Sequence, residues 1–446
     1  MFSCDSRVLD ILQTLHTAGF QAYLVGGCVR DALLGTVPHD YDCTTSALPD
    51  EILSACSQFH CIPTGIQHGT ITVVHDGLPV EVTTFRMDGD YHDHRHPEQV
   101  SFTPELAHDL ARRDFTINAM AWSEQGVVDL FGGQQDLEQK VLRCVGTPEQ
   151  RFQEDALRIL RGLRFAAQLG FSIHPDTASA IHTCFPLLSY VSQERIATEF
   201  SKLICGRFAE EILLSYPDVV AFLLPEFAPT IGFQQYNPHH CYDVYTHSVK
   251  AMSHIPPKLH LRLSALLHDM GKPDCFTMDE QGIGHFYQHA SLGAKQADQL
   301  CQRLRLDNAT RSQVVTLIQS HGIVLSPTEK LIRRWLHRLG EDMFFDLLEL
   351  QEADQSACAD GLSEELPNIR TLATEILAQK PCLTLKELAV NGHDAIALGL
   401  QGKAIGTALS HLLNLVVEGE LPNERTILLD ALKKMAGEYG STNQKV

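Results

Sequence analysis

Up to about residue 146 the apolar positions come in short runs with a period near two. AYLVGG (22–27), TITVV (70–74) and LPVEVTTF (78–85) read as strands bounded by turns, and VRDALLG (29–35) as a short helix. From Thr147 onward the period lengthens to that of a helix. EDALRILRGLRFAAQLGF and SQERIATEFSKLI are the strongest such stretches, and further helical runs fill Tyr242 to about Cys358 and then TLKELAV to LKKM. The last residues, GEYGSTNQKV, read as a frayed end. RMDGDYHDHRHPEQVSFTPELAHDL, between Arg86 and Leu110, fits neither period. It is polar and rich in His and Asp, and so long an irregular segment inside a domain reads as a functional loop. The expected fold is multi-domain: an N-terminal α/β unit with a small mixed sheet and helices over 1–146, then mainly α-helical segments over 147–235, 236–365 and 366–446.

Composition narrows the class. The 446 residues exceed one domain, and a 44% hydrophobic content supplies several cores, which excludes whole-chain disorder. No run of about 18 apolar residues is present, so no membrane span and no membrane partner are expected. The N-terminal stretch carries Asp5 and Asp10 among helically spaced apolar residues and does not read as a signal peptide. A formal charge of −20 argues against non-specific sequestration of nucleic acid, and no DNA partner is expected, although a local basic groove is compatible with it. The 13 cysteines are scattered without a C-x-x-C pair, which points to reduced thiols in a cytoplasmic protein.

Two constellations carry chemistry. In the first, LVGGCVRD sets Gly26 and Gly27 after a strand and before a short helix, where backbone can approach a phosphate, and Arg30 adds a charge-assisted donor. HDYDC follows with Asp40 and Asp42 at i, i+2, which on a strand places both carboxylates on one face. Such a pair shares a proton or holds a cation, and oxygen-only ligands suit Mg²⁺ with substrate phosphates. Glu81 in VEVTTF is the candidate third carboxylate. ARRDFTINAMAW reads as Arg112, Arg113 and Asp114 ahead of an apolar helix, with Asp114 as a candidate N-cap. In EDALRILRGLRF, Asp155, Arg158, Arg161 and Arg164 recur every three residues along one side of a helix, leaving Ile159, Leu160, Leu163 and Phe165 for the core.

LVGGCVRD with HDYDC, RRDFTINAM, VDLFGGQQDL, EDALRILRGLRF and ERIATEFSKL, in that order over roughly 20–205, resemble the class II tRNA nucleotidyltransferases, the CCA-adding enzymes. Their superfamily includes bacterial poly(A) polymerase. The resemblance implies a nucleotidyltransferase head over 1–146 and a helical neck that binds nucleotide and RNA over 147–235. It implies catalytic, metal-binding roles for Asp40 and Asp42, and nucleotide contacts for Gly27, Arg30, Arg113, Asp155, Arg158, Arg161 and Arg164. The implied partners are CTP, ATP and the tRNA 3′ end, and the implied reaction is attack of a 3′-hydroxyl on an α-phosphate with two metals. Base choice is consistent with hydrogen-bond polarity. Cytosine and adenine pair an exocyclic amine with a ring-nitrogen acceptor, which an Asp acceptor and an Arg donor complement; uracil and guanine present the reverse.

The second constellation is a set of histidines and aspartates: His247 in YDVYTHSVKAM, His268 and Asp269 in LLHDMGKP, His289, His321 and Asp354. His and carboxylate ligands converging from several helices suit a one- or two-metal hydrolytic site. The His268–Asp269 pair followed by Gly271 and Lys272 resembles the HD phosphohydrolase superfamily. That resemblance implies His247, His268, Asp269 and Asp354 as core ligands over 236–365, His289 and His321 for a second metal, and Mn²⁺, Ni²⁺ or Mg²⁺ as the ion. A phosphomonoester or 2′,3′-cyclic phosphate on an RNA end is the implied substrate. Over 366–446, Gly399, Gly402 and Gly406 around Lys403 are similar to the tRNA-binding tail of bacterial CCA-adding enzymes. Alternatives are a poly(A) polymerase, an A-only tRNA nucleotidyltransferase, and a metal phosphohydrolase with a vestigial RNA-binding head. The end, KKMAGEYGSTNQKV, is not strongly basic, which argues against a poly(A) polymerase. By the resemblance the full-length Met87–Leu110 loop disfavours CC-only addition and leaves A-only addition open. The intact Asp40/Asp42 pair argues against a vestigial head.

Overall fold

Asp5, in extended backbone, accepts the amide of Arg7 at 3.0 Å and starts α1 (Ser6–Thr17), whose Val8, Ile11, Leu12 and Leu15 are buried. The structure, a computed structural model, describes residues 4–89, 100–238, 240–358 and 363–442. After α1 come β1 (Ala22–Val25), α2 (Gly27–Leu33), β2 (Asp42–Thr45), α3 (Pro49–Ala55), β3 (His60–Gly65), β4 (Thr70–His75), β5 (Leu78–Thr84), β6 (Arg86–Asp88), β7 (Val100–Phe102), α4 (Leu106–Ala111), β8 (Met120–Ser123), β9 (Gly126–Asp129) and α5 (Gly133–Gln139). Seven strands form one mixed sheet in the order β3-β4-β5-β2-β1-β8-β9. β2 and β5 run parallel and the other neighbouring pairs antiparallel. On β5 the alternation places Val80, Val82 and Thr84 in the core and Glu81 at the surface.

Four expectations are corrected. FTINAMAW is a 3₁₀ turn (Thr116–Asn118) followed by strand β8, and not a helix; β8 is paired on both sides, with β1 and β9, and that tertiary pairing decides for a strand. The Arg86–Leu110 segment is not irregular throughout: β6 and β7 pair antiparallel at its base and α4 follows, while its residues 90–99 lie outside the described residues. Asp40 stands in a bend ahead of β2, whose first residue is Asp42, so the two do not share a strand. The expected frayed end continues as a helix, Arg425–Thr442, with 443–446 outside the described residues.

The chain divides into two compact units, Met1–Ala228 with Leu300–Leu306, and Pro229–Gln299 with Asp307–Val446. In the first, the sheet is followed by β10 (Val141–Leu142), α6 (Pro148–Glu154), α7 (Leu157–Leu169), β11 (Ser172–Ile173), α8 (Pro175–Cys184) and α9 (Gln193–Ile204), with β10 and β11 paired parallel. α7 buries Ile159, Leu160, Leu163, Phe165 and Ala167. Its Gly162 lets the fully buried Phe115 approach, since a Cβ there would lie 3.0 Å from the ring. In the second unit, α12 (Val244–His254), α13 (Leu259–Leu267), α15 (Asn308–Ser320) and α17 (Glu341–Ser356) pack together as a bundle. Trp335, Phe344, Leu348, Ile369 and Ile376 form a further core, and the C-terminal helices pack around Leu412, Leu413, Val416, Leu428 and Leu432.

Candidate active site and metal centre

The head site grows from the β2–β5 pairing. Asp42 at the start of β2 is the register partner of Glu81 on β5, so two carboxylates stand side by side at the sheet surface, and Asp40 lies two residues upstream. Asp42 is exposed yet crowded by protein. That desolvation, with Glu81 and Asp40 adding, pushes its carboxyl above the ordinary value against the pull of Arg113. The donors are all oxygens and their mutual repulsion asks for a cation, so this set fits a divalent metal. Gly26 borders it with φ +76°, and a Cβ there would lie 3.0 Å from Arg113 Nη1 and 3.8 Å from Asp42 Oδ2. Only glycine takes this backbone without strain. Gly27 opens α2, and Arg30, three residues on, is committed inward: it donates to Asn118 Oδ1 at 2.8 Å and to Asp31 Oδ1 at 2.8 Å.

Sequence reading passed over Asp109, which holds Arg113 in place. Asp109 is fully buried, accepts from Arg112 at 2.7 and 3.1 Å and from Thr44 Oγ1 at 3.2 Å, and lies 3.4 Å from Arg113 Nη2. Burial pushes its carboxyl up, but Arg112 and Arg113 outweigh this and hold it below the usual range. The i, i+3 and i, i+4 spacing of Asp109 to the two arginines was the available signal.

The four residues read as one helical stripe separate into distinct roles. Asp155 is not on α7: it sits in extended backbone (φ −136°, ψ 103°) between α6 and α7, where its Oδ1 accepts the amide of Leu157 at 3.1 Å. Its Oδ2 accepts from Arg195 Nη2 at 3.0 Å, a partner on α9 that sequence reading did not single out. Arg158 donates to Glu154 at 2.5 Å and to the carbonyls of Arg151 and Arg112 at 3.1 and 2.9 Å, which fixes the direction of its guanidinium. Arg161 pairs with Asp114 through two nitrogens at 2.6 and 2.8 Å. Arg164 is buried against Glu199, with its guanidinium 3.9 Å from the Phe165 ring centre. Asp114 is therefore not an N-cap. Burial pushes its carboxyl up, but Arg161, Asn118 and the Phe115 amide hold it at about 2.

In the second unit the bundle brings all six predicted ligands together. His247 lies on α12, His268 ends α13, His321 ends α15, His289 opens α14 (His289–Arg303) and Asp354 lies on α17. His247 Nε2 is 2.8 Å from Asp354 Oδ1 and 3.3 Å from His268 Nε2, while His268 Nε2 is 3.1 Å from Asp269 Oδ2. On the other side of Asp269, His289 and His321 approach each other at 3.2 Å through their Nε2 atoms and face Asp269 Oδ1 at 3.5 and 3.8 Å. The Nδ1 atoms of His268, His289 and His321 face the carbonyls of Ala265, Phe286 and Ile318 at 2.7–2.8 Å, and that of His247 faces Ala357 at 3.4 Å. A ring that donates Nδ1–H to a carbonyl presents a bare Nε2, which is the tautomer a metal needs. Two bare nitrogens at 3.2–3.3 Å repel unless a cation lies between them, so these residues too fit a metal. Burial pushes His268 down, yet Asp269 and Asp354 draw it up to about 10, so without a metal a proton sits on its Nε2, at the point where a cation would take that proton's place. Lys272, read in the sequence only as part of the motif, lies 2.6 Å from Asp269 Oδ2 and donates to Gln235 Oε1 at 2.7 Å.

Among the described residues no helix is long and apolar enough to cross a membrane. Residues 22–143 match the family described as "Poly A polymerase head domain", residues 170–231 the "Probable RNA and SrmB- binding site of polymerase A", and residues 275–432 the tRNA nucleotidyltransferase domain 2. The chain is 36% identical over 437 residues to the CCA-adding enzyme of Levilactobacillus brevis, covering 95% of this chain and 96% of that one. It is 50% identical over 208 residues to the CCA-adding enzyme of Geobacillus thermodenitrificans, covering 46% of this chain and 51% of that one. Among solved structures, the Bacillus stearothermophilus CCA-adding enzyme in complex with CTP superposes with a TM-score of 0.74 at 30% identity, covering 99% and 98% of the two chains. With five ordered motifs, a shared fold and full-length identity in agreement, the chain belongs to the CCA-adding enzyme family.

Proposed function

We propose that this chain adds C, C and A to the 3′ end of tRNA from CTP and ATP without a nucleic-acid template, with Asp40 and Asp42 as catalytic metal ligands and Glu81 beside them. What carries the reading is the placement of Asp42 and Glu81 as register partners on parallel strands, bordered by Gly26 and Arg113. Divalent ions, Mg²⁺ on this oxygen-only set, supply activation of the attacking 3′-hydroxyl and charge relief for the departing pyrophosphate. Gly26 and Gly27 leave room for the triphosphate, and Arg113, steadied by Asp109, meets its charge. Asp155 keeps a second lone pair on each oxygen for the exocyclic amine of C or A. Arg158, fixed by Glu154 and two carbonyls, donates to the ring nitrogen. Arg30, Arg161 and Arg164 brace the elements around the nucleotide through Asn118, Asp114 and Glu199. The working division is head 1–146, neck 147–235, metal-binding bundle 236–365 and tail 366–446, in a cytoplasmic enzyme. The test is the end-sequence of a tRNA lacking CCA after extension with CTP plus ATP. A CCA end is expected; a run of A, or a single A added only to tRNA ending in CC, overturns the reading.

A second activity is supported by the ring spacing in the bundle. Two nitrogen ligands at about 2.0–2.2 Å from one ion stand about 3.0–3.4 Å apart, the lower figure for octahedral and the upper for tetrahedral geometry, against observed separations of 3.3 Å for His247–His268 and 3.2 Å for His289–His321. His247, His268, Asp269 and Asp354 form one metal position, and His289 and His321 with Asp269 a second, for Mn²⁺, Ni²⁺ or Mg²⁺. The activity is hydrolysis of a phosphomonoester or 2′,3′-cyclic phosphate at an RNA end. Assay of the full chain with each ion on both substrates tests it, and absence of hydrolysis in all of them removes the activity.

A further inference from the structure

Beside the six histidine and aspartate ligands lie two side chains that the reactions above do not use. His240, four residues ahead of α12, and Cys358, two residues after α17, converge on the outer side of His247. The His240 and His247 rings meet nearly at right angles, 88°, with centroids 5.2 Å apart. Cys358 Sγ is 3.8 Å from His240 Nδ1. One ligand atom from each of the three residues lies within 4.8 Å of the others, with His247 buried and the other two half-buried.

We propose that His240, His247 and Cys358 form a separate thiolate-containing transition-metal site, for a borderline or soft ion such as Zn²⁺, Ni²⁺ or Co²⁺. A thiolate at about 2.3 Å and an imidazole at about 2.0–2.1 Å from a tetrahedral ion stand about 3.5 Å apart, close to the separation already present. The sulfur distinguishes this set from its neighbours, which offer nitrogen and carboxylate oxygen only, and sulfur selects against Mg²⁺ and Mn²⁺. On binding, the Cys358 thiol releases its proton to solvent, the His247 proton on Nδ1 is exchanged through solvent to Nε2, and metal–sulfur and metal–nitrogen bonds form. His247 can reach toward both sites: its Nε2 faces Asp354 and His268, and its Nδ1 lies at the carbonyl of Ala357, the residue before Cys358. The two sites then compete for this imidazole, and a thiophilic ion is drawn toward the sulfur side. The inference borrows His247 from the proposed hydrolytic centre but does not need that centre to be active.

The test is titration of the full chain with Co²⁺, followed in the near ultraviolet for sulfur-to-cobalt charge transfer. The wild type is expected to show the band, Cys358→Ser to lose it, and His240→Gln to weaken the associated Co²⁺ binding by about ten-fold or more. Cys241→Ser, changing the exposed neighbouring thiol, is expected to keep the band. CCA addition by each variant reports correct folding. No band in the wild type at saturating Co²⁺, or a band that survives Cys358→Ser, overturns the site and leaves an S–H···N hydrogen bond. Co²⁺ retained by Cys358→Ser, measured by elemental analysis, reports the neighbouring centre independently.

Discussion

Arg195 on α9 holds the carboxylate of Asp155 at 3.0 Å, while Arg158 pairs with Glu154. The two groups proposed to read the base are thus positioned by separate partners. Replacing Asp155 with Ala removes the acceptor that faces the exocyclic amine. Use of CTP and ATP should fall together, and exclusion of UTP and GTP should relax by about 1–3 kcal/mol, the cost of one unsatisfied buried polar contact. Arg195→Met should relax the same exclusion less, because the carboxylate stays but loses its anchor. The measurement is kcat/KM for all four nucleotides on tRNA ending before the first C or before the final A. An unchanged exclusion ratio in Asp155→Ala would make that residue structural.

The metal carboxylates should separate chemistry from binding. Asp42→Asn or Asp40→Asn is expected to lower nucleotide incorporation by about a hundred- to a thousand-fold or more while tRNA affinity stays near wild type. Filter binding alongside primer extension checks this. Incorporation within a few-fold of wild type in either variant would remove that carboxylate from catalysis.

The Asp114–Arg161 pair should be visible as acid sensitivity of α7. Asp114 has a folded value near 2 against an ordinary 3.8. A depressed carboxylate stabilises the fold above its unfolded value and loses that contribution as pH falls through the folded one. The contribution is about 2 kcal/mol at neutral pH and about half of it is gone by pH 3. Asp114→Asn should therefore lower amide-exchange protection of α7 at pH 6 and differ less from wild type near pH 3. A difference independent of pH would assign the effect to packing instead.

His268→Ala is expected to abolish any metal-stimulated hydrolysis of RNA-end phosphates and to leave CCA addition intact, since the head carboxylates lie in the other unit. Parallel assays of both activities on one preparation decide it. Loss of CCA addition with retained helicity would show that the two sites are coupled.

The ligand chemistry was more legible in the sequence than the geometry that presents it. Asp40, Asp42 and the six bundle ligands announce themselves by residue type, and in the structure the bundle ligands contact one another in a continuous chain around Asp269. What period alone could not reveal was where a helix breaks. EDALRILRGLRF scans as one continuous helix, yet the chain opens at Asp155, whose side chain caps the next turn by accepting the amide of Leu157. FTINAMAW was ambiguous for the same reason: short apolar runs carry no period, and pairing with β1 decides for a strand. Asp109, Glu154 and Arg195 escaped notice because their significance lies in the side chains they hold, and pairs such as Asp155–Arg195, 40 residues apart, leave no local trace.

The alignment of Asp42 with Glu81 makes the counting of residues between strands a parameter of the active site. Side chains alternate faces along a strand, so sliding β5 by one position would offer Val80 or Val82 where Glu81 now stands and drive an acid into the core. The β4–β5 turn at Asp76 and Gly77, both at positive φ, sets the antiparallel register in which Thr72 faces Glu81, and so helps to hold β5 in phase from outside the site. A single residue inserted there touches nothing near the carboxylates, yet it would mistime the hairpin and silence the head from a distance.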